Sequence, residues 1–250
     1  MKKILTLIPA RMGSTRFPGK PMKKILGKPM IEIIFKNVCK AKLVSYTFVA
    51  TCDNIIYNHI INIGGQAIMT SDKHQRASDR CAEALLKIEK IYNQKFDYIV
   101  MVQGDEPLIK SKMIDAAVKP MIKDKKINVV NLLGKISSKK EFYDPNCIKV
   151  IVDKKNNALF LSRSPMPYFS MYKDLFPKVG KQVCVIPFER DFLLKYNSMP
   201  QTPLEKVESI DMLRVIENGY KVRMIPINFI SQSVDTLKDL KKVERIIANA

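Results

Sequence analysis

The stretch "ILTLIPARMGSTRFPGKPM", residues 4–22, decides the fold, because it joins an apolar run to a basic loop that contains glycine. Residues 4–10 are apolar apart from Thr6, which is typical of a β-strand. Gly13 and Gly19 in the loop let the backbone approach a ligand closely. The stretch therefore predicts a first strand that leads directly into a ligand-binding loop.

The side chains of this loop indicate the kind of ligand. Arg11, Arg16 and Lys20 supply three positive charges, and Ser14 and Thr15 add hydroxyl groups. Cations this close repel one another unless an anion binds between them, and their number suits a triphosphate. The loop is not a Walker loop, since the pattern G-x-x-x-x-G-K-[ST] does not occur. The alternative is a flexible basic turn without a ligand.

Length and composition predict one globular domain, residues 1–250. The chain is 46% hydrophobic, which is enough to build a core, and no apolar run reaches the roughly 18 residues of a membrane span. The amino-terminal apolar run is too short for a signal peptide. The five cysteines are scattered and never form a C-x-x-C pair, which argues against disulfides and zinc. We expect a cytoplasmic protein with no membrane partner.

The charge is strongly positive, with 43 Lys and Arg against 24 Asp and Glu and a net charge of +19. This balance suits an anionic substrate or a nucleic acid. The densest basic runs, at 123–126, 137–140 and 238–242, lack interleaved aromatic residues. We therefore interpret them as solvated surface and expect no nucleic acid partner. The polyanion-binding alternative predicts an affinity that falls steeply with salt.

The first half of the chain alternates strand and helix patterns. Predicted strands cover 46–51, 66–70 and 96–102, and predicted helices cover 30–41, 54–64 and 77–91, the last with Ser78 as its N-cap. Such alternation is the pattern of βα units around a parallel sheet. We predict an α/β fold with a mostly parallel central sheet.

The pattern changes after residue 128. Apolar runs come at closer spacing, and "DKKNNA" at 153–158 predicts a hairpin turn. Helices are predicted over 189–197, 204–217 and 236–248. The prediction is one domain with a nucleotide-binding half, about 1–127, and a smaller β-rich lobe within about 128–250.

Two further strand-to-helix loops carry carboxylates, and ligands of parallel sheets collect at such loops. "VQGDEPLI" at 102–109 places Asp105 after a buried strand, where Mg²⁺ could bridge it to a triphosphate. "SQSVDTLKDL" at 231–240 makes Asp235 the candidate second metal ligand. The alternatives are helix-capping roles for Asp105, before Pro107, and for Asp235, before Thr236.

The ordered motifs of the whole chain resemble those of 3-deoxy-manno-octulosonate (KDO) cytidylyltransferases. The matching segments are "IPARMGSTRFPGKPM", "LGKPMI", "VATCDN", "MTSDKHQ", "VQGDEPLI", "YDPNCIKVIVDKKNNALFLSR", "PLEKVES", "ENGYKVR" and "VDTLKDL". The resemblance implies a Rossmann-like nucleotidyltransferase fold with a β-rich dimerisation lobe, and a homodimer. It also implies the Mg²⁺-assisted reaction of CTP with a sugar acid to give a CMP-sugar and pyrophosphate.

The resemblance also assigns site residues by motif. The CTP contacts would be Pro9, Ala10, Arg11, Ser14, Thr15, Arg16, Lys20, Arg76, Ala77 and Gln103. The sugar-acid contacts would be Arg80, Gln103, Arg163, Gln182, Glu205 and Lys206. Asp105 and Asp235 would hold the metal and, with Arg11 and Lys20, form the catalytic group.

Two segments depart from the family pattern. "HQRASDR" at 74–80 stands where the family has H-x-S-G-T-E-R, so Arg76 replaces Ser. "KQVCVIPFERDFL" at 181–193 stands where the family has H-x-G-x-Y-x-Y-R, so Gln182 replaces His. Because hydrogen-bonding groups discriminate strongly between substrates, the acceptor could be a modified KDO such as its 8-amino analogue, or a nine-carbon sugar acid. The alternative is that Gln182 replaces the His adequately and the acceptor is KDO.

Three other hypotheses remain open at this point. Arg76 would suit a phosphate or phosphonate acceptor, and loss of the acceptor site would leave a non-catalytic nucleotide-binding protein. The apolar segments "LFLS" at 159–162 and "VCVIPF" at 183–188 are the candidate dimer surface, because they need a cover.

Overall fold

The computed structural model describes residues 2–13, 17–168 and 179–249. The strands are β1 (Ile4–Ala10), β2 (Lys24–Ile25), β3 (Lys28–Pro29), β4 (Tyr46–Thr51), β5 (Ala67–Met69), β6 (Tyr98–Val102), β7 (Val130–Lys135), β8 (Lys149–Val152), β9 (Ala158–Ser162), β10 (Val179–Val183), β11 (Val185–Glu189) and β12 (Arg223–Pro226). The helices are α1 (Met30–Val38), α2 (Asn54–Asn62), α3 (Ala77–Tyr92), α4 (Ser111–Lys123), α5 (Lys139–Tyr143), α6 (Arg190–Ser198), α7 (Pro203–Glu208), α8 (Met212–Glu217) and α9 (Leu237–Ala248), with a 3₁₀ turn at Lys20–Met22.

The central sheet has the strand order β11-β6-β1-β4-β5. β1 pairs in parallel with both β4 and β6, β4 pairs in parallel with β5, and only β11 at the edge is antiparallel. The predicted mostly parallel α/β sheet is therefore confirmed. Because parallel strands end at the same edge, the loops after β1, β4 and β6 meet there.

Both faces of the central sheet are covered by helices. Alternate residues of β1 enter two different cores: Ile4 and Ile8 pack with residues of α1 and α4, whereas Leu5 and Leu7 pack with residues of α3 and α6. All four side chains are at most 1% exposed, and each contributes about 1.5–3 kcal/mol by its burial.

In the described part of the chain, no helix combines the length and the apolar character needed to cross a membrane.

The second sheet has the order β12-β7-β10-β8-β9 and is mostly antiparallel. The hairpin predicted at 153–158 joins β8 to β9, and the Asp153 carboxylate accepts hydrogen bonds from the backbone of Lys155 and Asn157. Only Cys184 separates β10 in this sheet from β11 in the central sheet. The chain crossing at Cys184 thus ties the two halves together.

Several details differ from the sequence predictions. Helix α3 is capped at Arg76 instead of Ser78, whose hydroxyl is buried inside the first turn. The single helix predicted over 204–217 is two helices, because Ser209 adopts a left-handed conformation with φ of +52°. Helices α4 and α5 were not predicted. The segment 183–188 forms most of β11, buried in the central sheet, so it is not the dimer surface that its apolar character suggested.

Candidate active site

A cleft of about 1470 Å³ lies at the carboxyl ends of β1 and β6 and extends to the second sheet. Most of the predicted site residues line it: Pro9, Ala10, Arg11, Lys20, Arg76, Ala77, Arg80, Gln103, Asp105, Arg163, Gln182 and Asp235. Ser14, Thr15 and Arg16 lie outside the described residues. The cleft therefore brings together residues from both predicted halves of the chain.

Lys20 joins the two predicted metal ligands. Its Nζ lies 2.9 Å from Asp105 Oδ2 and 3.1 Å from Asp235 Oδ1. Burial lowers the pKa of the Lys20 ammonium, but the charges of both carboxylates outweigh this effect and raise that pKa overall. The three side chains thus form a charged cluster at the end of β6.

Backbone contacts bring the two aspartates to the same place. The backbone N–H of Val234 donates a 2.9 Å hydrogen bond to the carbonyl of Asp105. A Cβ atom at Gly104 would lie 2.9 Å from the carbonyl oxygen of Pro9, so only glycine permits this approach to β1. Asp235 is not the helix cap, because Thr236 caps α9 and bonds reciprocally with Asp239.

The carboxylates of this cluster are suited to a cation. Asp105 Oδ1 and Glu106 Oε2 are buried and have no hydrogen-bond partner. Burial, followed by the nearby charge of Asp105, raises the pKa of Glu106 to about 8. Among the residues that the structure describes, no group of three or more His, Cys, Asp or Glu side chains forms a metal site. The carboxylates of Asp105 and Asp235, together with substrate phosphates, fit Mg²⁺, which proteins commonly bind through one or two carboxylates and phosphate oxygens.

Asp53 holds the start of the first loop, a role that the sequence analysis missed. Its carboxylate accepts a 2.8 Å hydrogen bond from the backbone N–H of Met12, while Arg11 Nη1 donates to the carbonyl of His74 at 3.2 Å. At the other end, Gly19 adopts a φ of +70° and donates to the carbonyl of Met12 at 3.0 Å. The position of Asp53 two residues after the strand predicted over 46–51 was the signal that could have found it.

A buried guanidinium in the first turn of α3 holds the loop that precedes this helix. Arg80 is 3% exposed and donates through Nη1 to the Thr70 hydroxyl and the Ser71 carbonyl, but its Nη2 has no hydrogen-bond partner. No carboxylate of the described residues forms an ion pair with it. A buried cation of this kind favours an anionic ligand. Glu83 supports the same loop by bonding to His74 and to the backbone N–H of Ser71.

Arg76 is already engaged within the protein. It forms an ion pair with Asp211, and its Nη2 lies 3.6 Å from Glu205 Oε1. Glu205 in turn accepts two hydrogen bonds from Arg214, at 2.6 and 2.7 Å. Burial raises the pKa of Asp211, and the charge of Arg76 offsets only part of this rise. Two guanidiniums and two carboxylates therefore balance one another beside the cleft.

This network corrects the roles predicted for two residues. Glu205 is fully buried behind Arg76 and does not line the cleft, so its carboxylate supports guanidiniums instead of facing a sugar. Lys206 is exposed and also lies outside the cleft lining. The short helix α7 explains both positions, because its capping box points Glu205 inward and leaves the next residue in solvent.

Carbonyl groups hold Arg163 at the far side of the cleft. Its side chain donates to the carbonyls of Glu208, Pro145 and Ser209 at 2.7, 3.0 and 3.4 Å. The fully buried Lys149 donates to the carbonyl of Arg163, and burial lowers the pKa of this lysine. These contacts fix the guanidinium in place while leaving its charge unpaired by carboxylates among the described residues.

The second departure from the family pattern lies on β10. The Gln182 Nε2 donates to Asn131 Oδ1 at 2.7 Å, and Asn131 Nδ2 donates to the carbonyl of Val183, also at 2.7 Å. One N–H of the Gln182 side-chain amide is therefore used within the protein, which leaves the second N–H and the carbonyl oxygen to contact a ligand. Burial raises the pKa of the neighbouring Cys184 thiol well above its ordinary value, so this thiol is neutral.

The parallel sheet and the charged cleft at its carboxyl edge define an α/β protein that binds ligands at the ends of its strands. Two solved structures of low identity share this fold. One is a putative glucose-1-phosphate thymidylyltransferase from Bacillus anthracis, with 12% identity, a TM-score of 0.67 and coverage of 100% of this chain and 96% of the other. The other is 4-diphosphocytidyl-2C-methyl-D-erythritol synthase from Anaerococcus prevotii, with 13% identity, a TM-score of 0.64 and 99% coverage of both chains.

A family model and relatives of higher sequence identity show the family to which the chain belongs. A family model described as cytidylyltransferase matches residues 5–225. The chain is 42% identical over 250 residues to the 3-deoxy-manno-octulosonate cytidylyltransferase of Geobacter metallireducens, covering 96% of each chain. It is 40% identical over 241 residues to the corresponding protein of Fusobacterium nucleatum, covering 96% of this chain and 95% of that one. The chain belongs to the cytidylyltransferase family, and the resemblance found in the sequence is confirmed.

A solved structure extends the similarity to a nucleotide complex. The structure of CMP:2-keto-3-deoxy-manno-octonic acid synthetase complexed with CTP has a TM-score of 0.90 and 33% identity, and 99% of each chain is covered. The whole described fold, including the second sheet, therefore has the architecture of a protein solved with this nucleotide.

Proposed function

We propose that this protein transfers the CMP group of CTP to KDO or a close 2-keto-3-deoxy sugar acid, releasing pyrophosphate. The observation that carries the proposal is the cluster in which Lys20 Nζ contacts both Asp105 and Asp235. In the free protein Lys20 pairs with these two carboxylates. When the ligands bind, a metal ion would take the place of Lys20 between the carboxylates, and Lys20 would pair with the triphosphate. The relatives named for this reaction support the same acceptor class.

The residues of the chain would act mainly by positioning the reactants. In the reaction the anomeric hydroxyl attacks the α-phosphorus of CTP, and the bond to the pyrophosphate oxygen breaks in line. Such phosphoryl-group chemistry depends on orientation and on offsetting charge. Arg11 and Lys20 would orient the triphosphate from the first loop, and Pro9, Ala10 and Gln103 form the cleft wall beside it.

Asp105 and Asp235 would hold Mg²⁺. The buried Asp105 Oδ1, which lacks a hydrogen-bond partner, is an atom that a cation would satisfy. When bound, the ion would offset phosphate charge and favour departure of pyrophosphate. Because Lys20 contacts the same two carboxylates, its ammonium would turn towards the phosphates when the metal takes its place.

Arg80 is the residue that we assign to the carboxylate of the sugar acid. Its guanidinium is buried, has one nitrogen without a partner and forms no ion pair with the described carboxylates. Arg163 and Gln182 would contact the other end of the acceptor. Arg76 does not favour a phosphorylated acceptor, because Asp211 and Glu205 already balance its charge.

The decisive experiment is an assay of pyrophosphate release from CTP and Mg²⁺ with a panel of acceptors. KDO, its 8-amino analogue, a nine-carbon sugar acid and a phosphorylated sugar are compared, and the product is identified by mass. We expect a CMP-linked product with at least one 2-keto-3-deoxy acid. A clear preference for KDO would end the altered-acceptor hypothesis. No release with any acceptor would favour the non-catalytic nucleotide-binding alternative.

We also propose that the protein is a cytoplasmic homodimer. Strand β9 is an edge of the second sheet, and Leu159 on it is 57% exposed, which suits a surface covered by a second copy. Sedimentation of the protein, alone and as Leu159→Lys, measures the oligomeric state. A wild type that sediments as a monomer would contradict the dimer.

A further inference from the structure

Helix α9 presents four cations on one face. Lys238, Lys241, Lys242 and Arg245 follow the spacing i, i+3, i+4 and i+7, which places them along a single stripe of a helix. All four side chains are exposed and line the cleft. The opposite face of α9 buries its apolar residues, among them Leu240 and Val243, against the core. The core packing of α9 therefore fixes which residues face the cleft; we call these four the α9 cation stripe.

The positive charge of the α9 cation stripe is not balanced by nearby carboxylates. Asp235 contacts Lys20, and Asp239 bonds to the backbone and hydroxyl of Thr236 as part of the helix cap. Glu244 accepts from the backbone N–H of Leu26 instead of contacting the stripe. Within the described ranges, no carboxylate forms an ion pair with any of the four cations. Lys242 donates to the neutral amide oxygen of Gln232.

The stripe begins next to the proposed phosphate site. Only the cap residue Thr236 separates Asp235 from α9, and Lys238 lies in the first turn of that helix. From Lys238 to Arg245 the helix rises about 10 Å, longer than a pyrophosphate group, so several phosphate positions fit along it. Lys140 on α5 lines the same cleft and adds a further positive charge that no carboxylate of the described residues pairs with. The field along this wall favours anions that enter or leave beside Asp235.

We propose that the α9 cation stripe is a polyphosphate-binding extension of the active site. Its ligand is the diphosphate end of CTP as the nucleotide enters, or inorganic pyrophosphate as it leaves. This inference rests on the proposed function, and it gives a local role to the basic run 238–242 that the sequence analysis interpreted as solvated surface. A cluster of positive charges of this kind raises the rate at which an anionic ligand associates with the site more than it changes the rate of the chemical step.

The test compares two variants that lose the same charge. The stripe variant carries Lys238→Gln, Lys241→Gln, Lys242→Gln and Arg245→Gln. The matched control carries Lys123→Gln, Lys125→Gln, Lys154→Gln and Lys155→Gln, all exposed and outside the cleft lining. Calorimetric binding of inorganic pyrophosphate and of CTP is measured first, because this readout does not depend on turnover. The kcat/KM for CTP and for the acceptor is then measured from low to high salt.

For the stripe variant we expect kcat/KM for CTP to fall on the order of tenfold at low salt and to lose most of its salt dependence. The acceptor KM should stay within about twofold, and the control should match the wild type. A lower kcat/KM for CTP with unchanged pyrophosphate binding would identify the entering nucleotide as the ligand, whereas weaker pyrophosphate binding with unchanged kcat/KM for CTP would identify the leaving group.

Equal behaviour of the two variants would overturn the proposal, because it would show an effect of net charge alone. A change confined to the binding of a short RNA would also overturn it, in favour of a nucleic acid surface. A wild type that binds CTP and pyrophosphate but does not turn over would count against the proposed function while leaving this inference testable by binding.

Discussion

Asp105 and Asp235 contact the same ammonium group, that of Lys20, at 2.9 and 3.1 Å. Because like charges repel, a cation between two carboxylates this close stabilises both in their charged form. Lys20 supplies it in the free protein, and a metal ion would supply it in the complex with CTP. Binding of the proposed metal would therefore exchange one cation for another between these carboxylates.

Replacing Asp235 by Asn should abolish turnover without unfolding the protein. We expect pyrophosphate release to fall at least a hundredfold, because one of two metal ligands loses its charge. The melting temperature should change little, since Lys20 keeps its contact with Asp105. Asp124→Asn, at an exposed position after α4, is the control. Full activity of Asp235→Asn would contradict the proposed metal site.

Arg80→Lys should weaken binding of the acceptor specifically. The lysine keeps the charge but loses the planar guanidinium that bonds to Thr70 and Ser71. We expect the KM for the sugar acid to rise about tenfold or more, with the KM for CTP within about twofold. Initial-rate kinetics with each substrate varied in turn measure this. An effect on CTP alone would move Arg80 to the nucleotide side of the site.

The ion pair between Arg76 and Asp211 should couple the two residues in stability. Arg76→Ser leaves a partly buried carboxylate without its main partner, which should lower the free energy of unfolding by about 2–4 kcal/mol. Adding Asp211→Asn should recover part of the loss. Urea denaturation of both single variants and the double variant gives the coupling, expected at about 1–3 kcal/mol. Additive losses would mean that the pair contributes nothing as a pair.

Glu83 should make part of the stability depend on acid pH. Burial raises the pKa of its carboxyl, but hydrogen bonds from Lys87, Ser71 and His74 outweigh this and lower that pKa to about 2. The unfolded value is about 4.5, so the native contacts stabilise the fold fully above this pH and progressively less as pH falls towards 2. The gap in unfolding free energy between the wild type and Glu83→Gln should shrink over that interval. A gap that does not change with pH would refute this.

Gly104→Ala should reduce both stability and activity. The added methyl group would lie 2.9 Å from the carbonyl oxygen of Pro9, so β1 and the segment that carries Asp105 must move apart. We expect a loss of about 1–3 kcal/mol in unfolding free energy and a larger proportional loss in kcat. Gly27→Ala, where nothing lies within 4 Å of the added atom, is a control for general loss of glycine, although its φ of +82° adds local strain. An active, stable Gly104→Ala protein would show that this close approach is not required.

Prediction from sequence succeeded where local patterns decide structure. The apolar strands and the turn at 153–158 follow from spacing and turn residues, and so do the helices predicted over 30–41 and 77–91, which the structure has at Met30–Val38 and Ala77–Tyr92. Asp105 and Asp235 could be predicted as site residues because each follows a recognisable segment, and the structure places both in the lining of the cleft. Glu205 was predicted to contact the sugar acid, and this role was wrong. The motif "PLEKVES" reads the same whether the Glu205 side chain faces the cleft or an internal arginine. Its contact with Arg214 is visible only in three dimensions.

The amino-acid sequence by itself determined the strand and helix pattern, the basic first loop and the family. These depend on the order of side chains along the chain, which periodicity and motifs record. The tertiary structure alone decided that β11 joins the central sheet, that Lys20 bridges two distant aspartates and that Asp211 already neutralises Arg76. Each depends on contacts between residues far apart in sequence, because charge balance and burial are set by what folding brings into contact.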